Sequence, residues 1–416
     1  MQNIILFDPE ARKHLLPLAA TRPVGEFRLG ILTLREKWER LFRAPVSYIT
    51  QDYLQDCYPI HIGSDNLVIN ACIVPDQAAF SLFRTLQTGQ ALIRQDELLA
   101  VRLDEAQFEL LVSDEALGNL DGRNLEEDAP ITLFSRLWRL NTLNAQALLH
   151  DFDLLTRGRK SQPLSDTNRV IGPHPVFLEE GAKAECCVFQ TADGPIYIGK
   201  NAEIMEGCLL RGPIAVCDQA VLKMGTKIYG PTTIGPGCKV GGEVARSILF
   251  ANSNKAHDGF LGDSVIGEWC NFGADSNNSN LKNNYSEVRL WDYAEERFAK
   301  TGERFCGLFM GDHSKCAINT SFNTGTVVGV FANLYGAGFH RNFVPDFSWG
   351  GPEAGYRTYR LDEAREVAQA VMVRRGKELT ELDQAVLKMG AKIYGPTTIG
   401  PGCKVGGEVA RSILFA

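Results

Sequence analysis

Between Ile198 and Val240 an aliphatic residue stands at every sixth position: Ile198, Ile204, Leu210, Val216, Leu222, Ile228, Ile234 and Val240. The residue four places after each is mostly small or β-branched: Ala202, Cys208, Ile214, Ala220, Thr226, Thr232, Cys238 and Val244. A period of six matches neither the helix at 3.6 nor the strand at 2, but it fits a hexapeptide-repeat β-helix, in which three short strands make each triangular coil. The aliphatic residue points inward and the small one fits the tight bend, so each coil buries its apolar face only on its neighbours. The pattern lapses after Val244, resumes at Phe260, Ile266 and Phe272, lapses again, and returns at Met310, Cys316, Phe322, Val328 and Leu334. Sixteen such hexads predict a left-handed parallel β-helix of a little over five coils. Two excursions, Arg246 to Gly259 and Leu281 to Phe305, interrupt it, and loops on a rigid scaffold are where ligand chemistry collects. The second, with YSEVRLWDY and KTGERF, reads as a hairpin.

Upstream, residues 1–165 alternate between helical and extended patterns. Arg28 to Phe42 spaces Leu29, Leu32, Trp38 and Leu41 as a helix would; Val46 to Thr50 and Asn66 to Val74 read as buried strands; Asp76 caps a helix reaching Thr88. Such alternation predicts an α/β sheet domain. A long amphipathic stretch from Leu133 to Leu155 leaves it, and the polar TRGRKSQPLS at 156–165 is the expected linker. The β-helix is then placed at 166–345 and a helical segment at 346–388. Residues 383–416 repeat 218–251 with a single difference, Thr226 against Ala391, so 389–416 is expected to be a recent duplicate, weakly docked or disordered.

Composition narrows the partners. A formal net charge of -7 with no dense basic run argues against a nucleic acid, while small phosphorylated ligands remain compatible. The N-terminus lacks a leader pattern and no apolar run approaches a membrane span, which predicts a cytoplasmic protein. Eleven cysteines without zinc-like CxxC spacing read as reduced thiols, and the adjacent Cys186 and Cys187 suggest no chemistry.

The richest polar stretch is 252–285, NSNKAHDGFLGDSVIGEWCNFGADSNNSNLKNNY. His257 lies at the end of the first excursion, and an imidazole there suits proton removal from an amine nucleophile. Asparagines around it, Asn271 among them, suit sugar hydroxyls, and Lys255 and Lys282 flank the stretch as phosphate-binding candidates. The run from His257 through Gly267, with Cys270 to Ala274 and Asn280 following, resembles the acetyltransferase half of the bifunctional GlmU enzymes, which make UDP-N-acetylglucosamine. The stretch LPLAATRPVGEFRLGILTLREKW is similar to an alternative bacterial form of that family. The resemblance covers the chain to about residue 388. It implies that His257 deprotonates the amine of glucosamine 1-phosphate and that Asn280 holds the reacting groups. It further implies sugar contact at Asn271, phosphate contact at Lys282, acetyl-CoA near the Ala274 backbone, and a homotrimer. Phe260 departs from the tyrosine common in the family.

The N-terminal half carries a weaker signal. Nucleotidyltransferases that join a sugar phosphate to a nucleoside triphosphate open with a pattern like LAAGxGTR; here Leu18-Ala19-Ala20 runs directly into Thr21-Arg22 without the glycines. Arg22, Arg28 and Lys37 are the candidates for neutralising a triphosphate. Ala71 and Cys72 stand where the family places the Gly-Asp pair that holds magnesium, which leaves Asp76 as a possible substitute and the metal ligands unassigned. The expectation is an acetyltransferase coupled to a magnesium-dependent uridylyltransferase. Alternatives are a nucleotidyltransferase of other specificity, such as dTTP with glucose 1-phosphate, or an acetyltransferase with a degenerate N-terminal domain. A β-helix carbonic anhydrase would need converging histidines, and His257, His313 and His340 include no close pair. A purely structural assembly module would bind neither acetyl-CoA nor nucleotide.

Overall fold

The computed structural model describes residues 3–112, 120–381 and 383–387. The N-terminal half is a six-stranded mixed sheet of order β2-β1-β3-β5-β4-β6. Its strands are β1 (Asn3–Phe7), β2 (Val46–Ile49), β3 (Asp65–Asn70), β4 (Gln90–Arg94), β5 (Glu97–Asp104) and β6 (Asp121–Asn124). The parallel pairs β1–β2 and β1–β3 lie beside antiparallel β3–β5 and β4–β5. Helices α1 (Leu34–Phe42), α2 (Asp52–Gln55), α3 (Gln77–Phe83) and α4 (Glu105–Val112) accompany them, and α5 (Trp138–Thr156) leads out.

The helix expected from Arg28 begins only at Leu34. Thr33 caps it in a reciprocal box with Glu36, and the residues before it form a tight turn: Arg28 bridges Thr33, Gly30 has φ +77°, and the Asp151 carboxylate accepts the N–H groups of Ile31 and Leu32. A capping box marks a helix start more sharply than apolar spacing does. Asp76 caps α3 by accepting from the Ala79 N–H at 2.8 Å, so it is a helix cap rather than a metal ligand.

The C-terminal half is a parallel β-helix. Two of its faces carry nine parallel strands each, from Val176–Leu178 to Phe343–Val344 and from Lys183–Ala184 to Ser348–Gly351. The third face runs from Arg169–Ile171 to Phe260–Gly262 and is extended by Asn277–Asn278 and Ser321–Phe322. All eight aliphatic residues from Ile198 to Val240 point inward and are at most 2% exposed.

Nine coils rather than five follow, because the repeat continues where its spacing is broken. Upstream, Leu178, Ala184 and Phe189 fill the interior, but an extra turn between Phe189 and Ile196 disrupts the period of six. The first excursion is no loop: it holds the strands Ile248–Leu249 and Asn254–Lys255 of a shortened coil. At the resumption, Leu261 and not Phe260 is the inward residue, since Val244 pairs with Leu261 and Glu243 with Phe260. The second excursion does contain a hairpin, Arg289–Asp292 against Arg297–Lys300. Residues expected to be helical after 345 first complete the sheet with Ser348–Gly351 and Gly355–Thr358, and only then form α6 (Leu361–Val373). The duplicated stretch 389–416 lies outside the described residues.

The two halves share one apolar core, from Ile4 and Phe27 through Phe250 and Val265 to Phe309 and Met372. Polar groups reinforce it. The Thr233 hydroxyl donates to the Gly30 carbonyl at 2.9 Å, the Arg22 guanidinium pairs with Glu268 at 2.7 Å and with Asp312, and His14 bonds Asp292. The stretch 156–165 is likewise docked: Arg159 grips Glu179 through two bonds. No helix among the described residues is long and apolar enough to cross a membrane. The ten cysteines among them are all free thiols.

Candidate active site

On the outer surface of one β-helix face, strand pairing stacks Lys239, Asn254, Asn271 and Lys315 in four successive coils, each beside an inward residue. The corner that follows carries His257 in one coil, Ala274 in the next and Ile318 in the one after, by the same register. The end of α6 closes over this surface with Val371, Arg374 and Arg375. A cavity of about 600 Å³ results, walled also by Trp269 and Asn252.

No carboxylate lines the cavity, whereas Lys239, Lys315, Arg374 and Arg375 all do. Arg375 is partly committed: it donates to the Gly237 carbonyl at 2.6 Å and to Asn254 Oδ1 at 2.7 Å, which anchors α6 to the coils. Lys315 donates to the His313 carbonyl, and burial pushes its ammonium down to about 8. Lys239 is lowered too, first by burial and then by Arg375, Lys223 and Arg374. Cations gathered so closely without a counter-charge favour an anionic ligand, whose binding would relieve the repulsion. Lys239 and Arg374 make no side-chain hydrogen bond or ion pair among the described residues, so both are available to it.

Of the residues singled out from the sequence, His257, Asn271 and Ala274 meet in this cavity. His257 is exposed and its imidazole bonds no described residue. Lys255 does not line the cavity: it is buried inside the coil, 2% exposed, with Nζ on the Gly241 and His257 carbonyls. Asn280 and Lys282 stand outside the cavity lining. Asn280 donates to Asp263 at 2.6 Å, Asp263 is itself paired with Arg246, and Lys282 donates to the Glu287 carbonyl. The four cations and Trp269 escaped the sequence reading. Lys239 and Lys315 were recoverable as the outward neighbours of the inward Val240 and Cys316, but nothing in the repeat signals that α6 returns to this face.

In the N-terminal half the nucleotide candidates are committed elsewhere. Burial opposes the Arg22 charge, and Asp312 and Glu268 hold it firmly protonated. Burial lowers Lys37 and raises Asp151, which face each other at 3.1 Å. Arg28 bonds the Ile31 carbonyl. The loop after β1, where a doubly wound sheet takes phosphates, is therefore closed by the β-helix. Ala71 and Cys72 are buried, and Asp8 at the end of β1 is neutralised by Arg12 at 3.2 Å, so these residues do not fit a magnesium ion. The one constellation of metal-ligand type among the described residues is His14, Asp292 and Glu295 at the domain junction, where Arg136 already pairs with both carboxylates.

Residues 4–160 match the family model for sugar nucleotidyl transferases. Among relatives, a bifunctional sugar-1-phosphate nucleotidylyltransferase/acetyltransferase from Sulfurisphaera tokodaii is 28% identical over 163 residues, 34% of this chain and 40% of that protein. The bifunctional protein GlmU of Methanocaldococcus jannaschii is 37% identical over 87 residues, 21% of each chain, and that of Methanococcus aeolicus 34% identical over 87 residues. The first of these relatives carries both activities in its name, the others are named as bifunctional, and the chain spans less than half of their length. Among solved structures, the UDP-N-acetylglucosamine acyltransferase of Arabidopsis aligns over 49% of this chain and 77% of its own, at 14% identity and a TM-score of 0.23, too low to support a structural argument. Residues 4–160 thus resemble sugar nucleotidyl transferases in sequence, while the loop after β1 is packed against the second half.

Proposed function

We propose that the chain transfers an acetyl group from acetyl-CoA to the amine of an amino-sugar 1-phosphate, glucosamine 1-phosphate by resemblance, in the cavity between the β-helix and α6. The observation that carries this reading is the composition of that cavity: one exposed imidazole and amide side chains in a wall that holds four cations and no carboxylate. Acetyl-CoA would supply an activated thioester and several phosphate charges. His257 takes the proton released as the amine attacks and returns it to the departing thiolate. Asn271 offers a donor and an acceptor to sugar hydroxyls, and Lys239, Lys315 and Arg374 balance the phosphates. Ala274 lines the cavity beside them, and its N–H makes no hydrogen bond among the described residues. No covalent enzyme intermediate is required, since the cavity's cysteine, Cys270, is buried with its thiol pushed above the ordinary range.

The family match and the name of the Sulfurisphaera relative support a second activity, nucleotidyl transfer to a sugar 1-phosphate by residues 4–160; by resemblance the nucleotide is UTP, the product a UDP-amino sugar and the whole chain a cytoplasmic trimer. One observation favours a different second reading, acetyl transfer alone with a non-catalytic N-terminal half: the burial of Arg22 and Lys37 in ion pairs. A paired assay on the full chain separates them. Thiol release from acetyl-CoA with glucosamine 1-phosphate is expected; pyrophosphate release from UTP with N-acetylglucosamine 1-phosphate decides between the two. Absence of thiol release with every amino-sugar phosphate tried would overturn the central reading.

The cation cluster gives a prediction of its own. K239A and R374A are each expected to raise KM for acetyl-CoA about tenfold, the worth of one charge-assisted contact to phosphate. The same KM should climb with ionic strength in the wild-type protein and climb less in the variants. A KM indifferent to both substitutions and to salt removes the phosphates from this surface.

A further inference from the structure

We propose that Lys255 is a positioning residue for His257, fixing from inside the β-helix the corner that carries the imidazole. The inference rests on His257 being the base. Along this face the inward position is Ile204, Leu222, Val240, Lys255, Phe272, Cys316 and Leu334 in successive coils, and every occupant but Lys255 is apolar. An ammonium in such a ladder is strongly disfavoured unless specific partners hold it. The partners are not carboxylates. Nζ donates to the Gly241 carbonyl of the preceding coil at 3.1 Å and to the His257 carbonyl of its own at 2.7 Å. Burial accordingly draws the Lys255 ammonium down to about 8, against the pull of Asp258, Cys316 and Asp275.

The local geometry explains why a tether is needed here. Val240 pairs with Lys255 and Val244 with Leu261, so the preceding coil turns this corner in four residues where the corner carrying His257 takes six, and two residues of the His257 corner have no paired counterpart beneath them. Gly259 adopts φ +117° within this corner, which presses on Gly241 so closely that a Cβ there would stand 2.4 Å from the Ala256 oxygen. The Lys255 bond is the only hydrogen bond His257 makes among the described residues. Without it the Gly241 and His257 carbonyls lose their donor inside the coil, and the exposed imidazole loses its fixed origin. Stability alone does not call for lysine, because an apolar residue, Val240 or Phe272, fills the same place in the coils on either side.

The test compares K255M and K255I with H257A, each assayed in the full chain for acetyl transfer and thermal stability. Methionine keeps the stem and removes the ammonium; isoleucine restores the apolar ladder. Both variants are expected to melt at or above the wild-type temperature while kcat falls at least tenfold and the two KM values stay within about twofold, because an angstrom of misplacement at a base costs that much or more. Wild-type kcat in both lysine variants overturns the inference alone, provided H257A is inactive. Melting temperature and kcat falling together in both, with KM rising, assigns Lys255 a structural role and overturns it as well. Full activity in H257A overturns both the base assignment and the inference built on it.

Discussion

Replacing His257 by alanine should reduce acetyl transfer by about 10²–10⁴-fold, the usual worth of a positioned general base, with no more than about 0.5 kcal/mol lost from stability. The stability half of this expectation follows from exposure: the imidazole touches solvent and bonds no described side chain, so its removal leaves no buried polar group behind. The rate half follows from chemistry, since the amine must lose a proton and no carboxylate lines the cavity to take it. H257A measured by thiol release, beside its melting curve, checks both. A rate within threefold of wild type would transfer the role of base to solvent or to another residue.

The second large effect lies at the domain junction. R22A should cost about 3–5 kcal/mol, because it leaves Asp312 and Glu268 as uncompensated carboxylates in a largely buried contact. Asp312 is tied down further by the hydroxyl of Thr21 at 2.5 Å and the N–H of Glu268 at 2.7 Å, so it has no route to water without breaking the junction. Denaturant unfolding of R22A and of the double variant R22M/D312L measures this. The double variant should recover much of the loss, since removing both charges removes the desolvation penalty. If R22A instead leaves stability intact and abolishes UTP binding, the arginine belongs to a nucleotide site after all.

The legibility of the chain was uneven for physical reasons. The ladder from Ile198 to Val240 is readable because each inward residue packs between apolar residues of the coils above and below it at an unbroken spacing. The same argument mis-registered Phe260, because two apolar residues stand side by side there and only pairing with Val244 selects Leu261. Lys255 was read as a surface phosphate ligand because residue type predicts exposure; the alternation that would have turned it inward is hidden by the shortened coil. His257, Asn271 and Ala274 were found from a local motif and do share one cavity, whereas Lys239 and Arg374 are brought there by coil stacking and by the return of α6. Arg22 shows the complementary limit. A sequence reveals a positive charge at the end of a phosphate-type motif, but not a partner 290 residues downstream.

That separation bears on biosynthesis. As the chain is made from its N-terminus, the sheet domain is complete long before Asp312 exists, and it must wait with the Arg22 guanidinium and the apolar surface around Phe27 uncovered until the later coils stack. Contacts this distant in sequence close slowly. The nascent domain is therefore open for much of synthesis, and a truncated product ending before Asp312 would expose it permanently to proteases and chaperones.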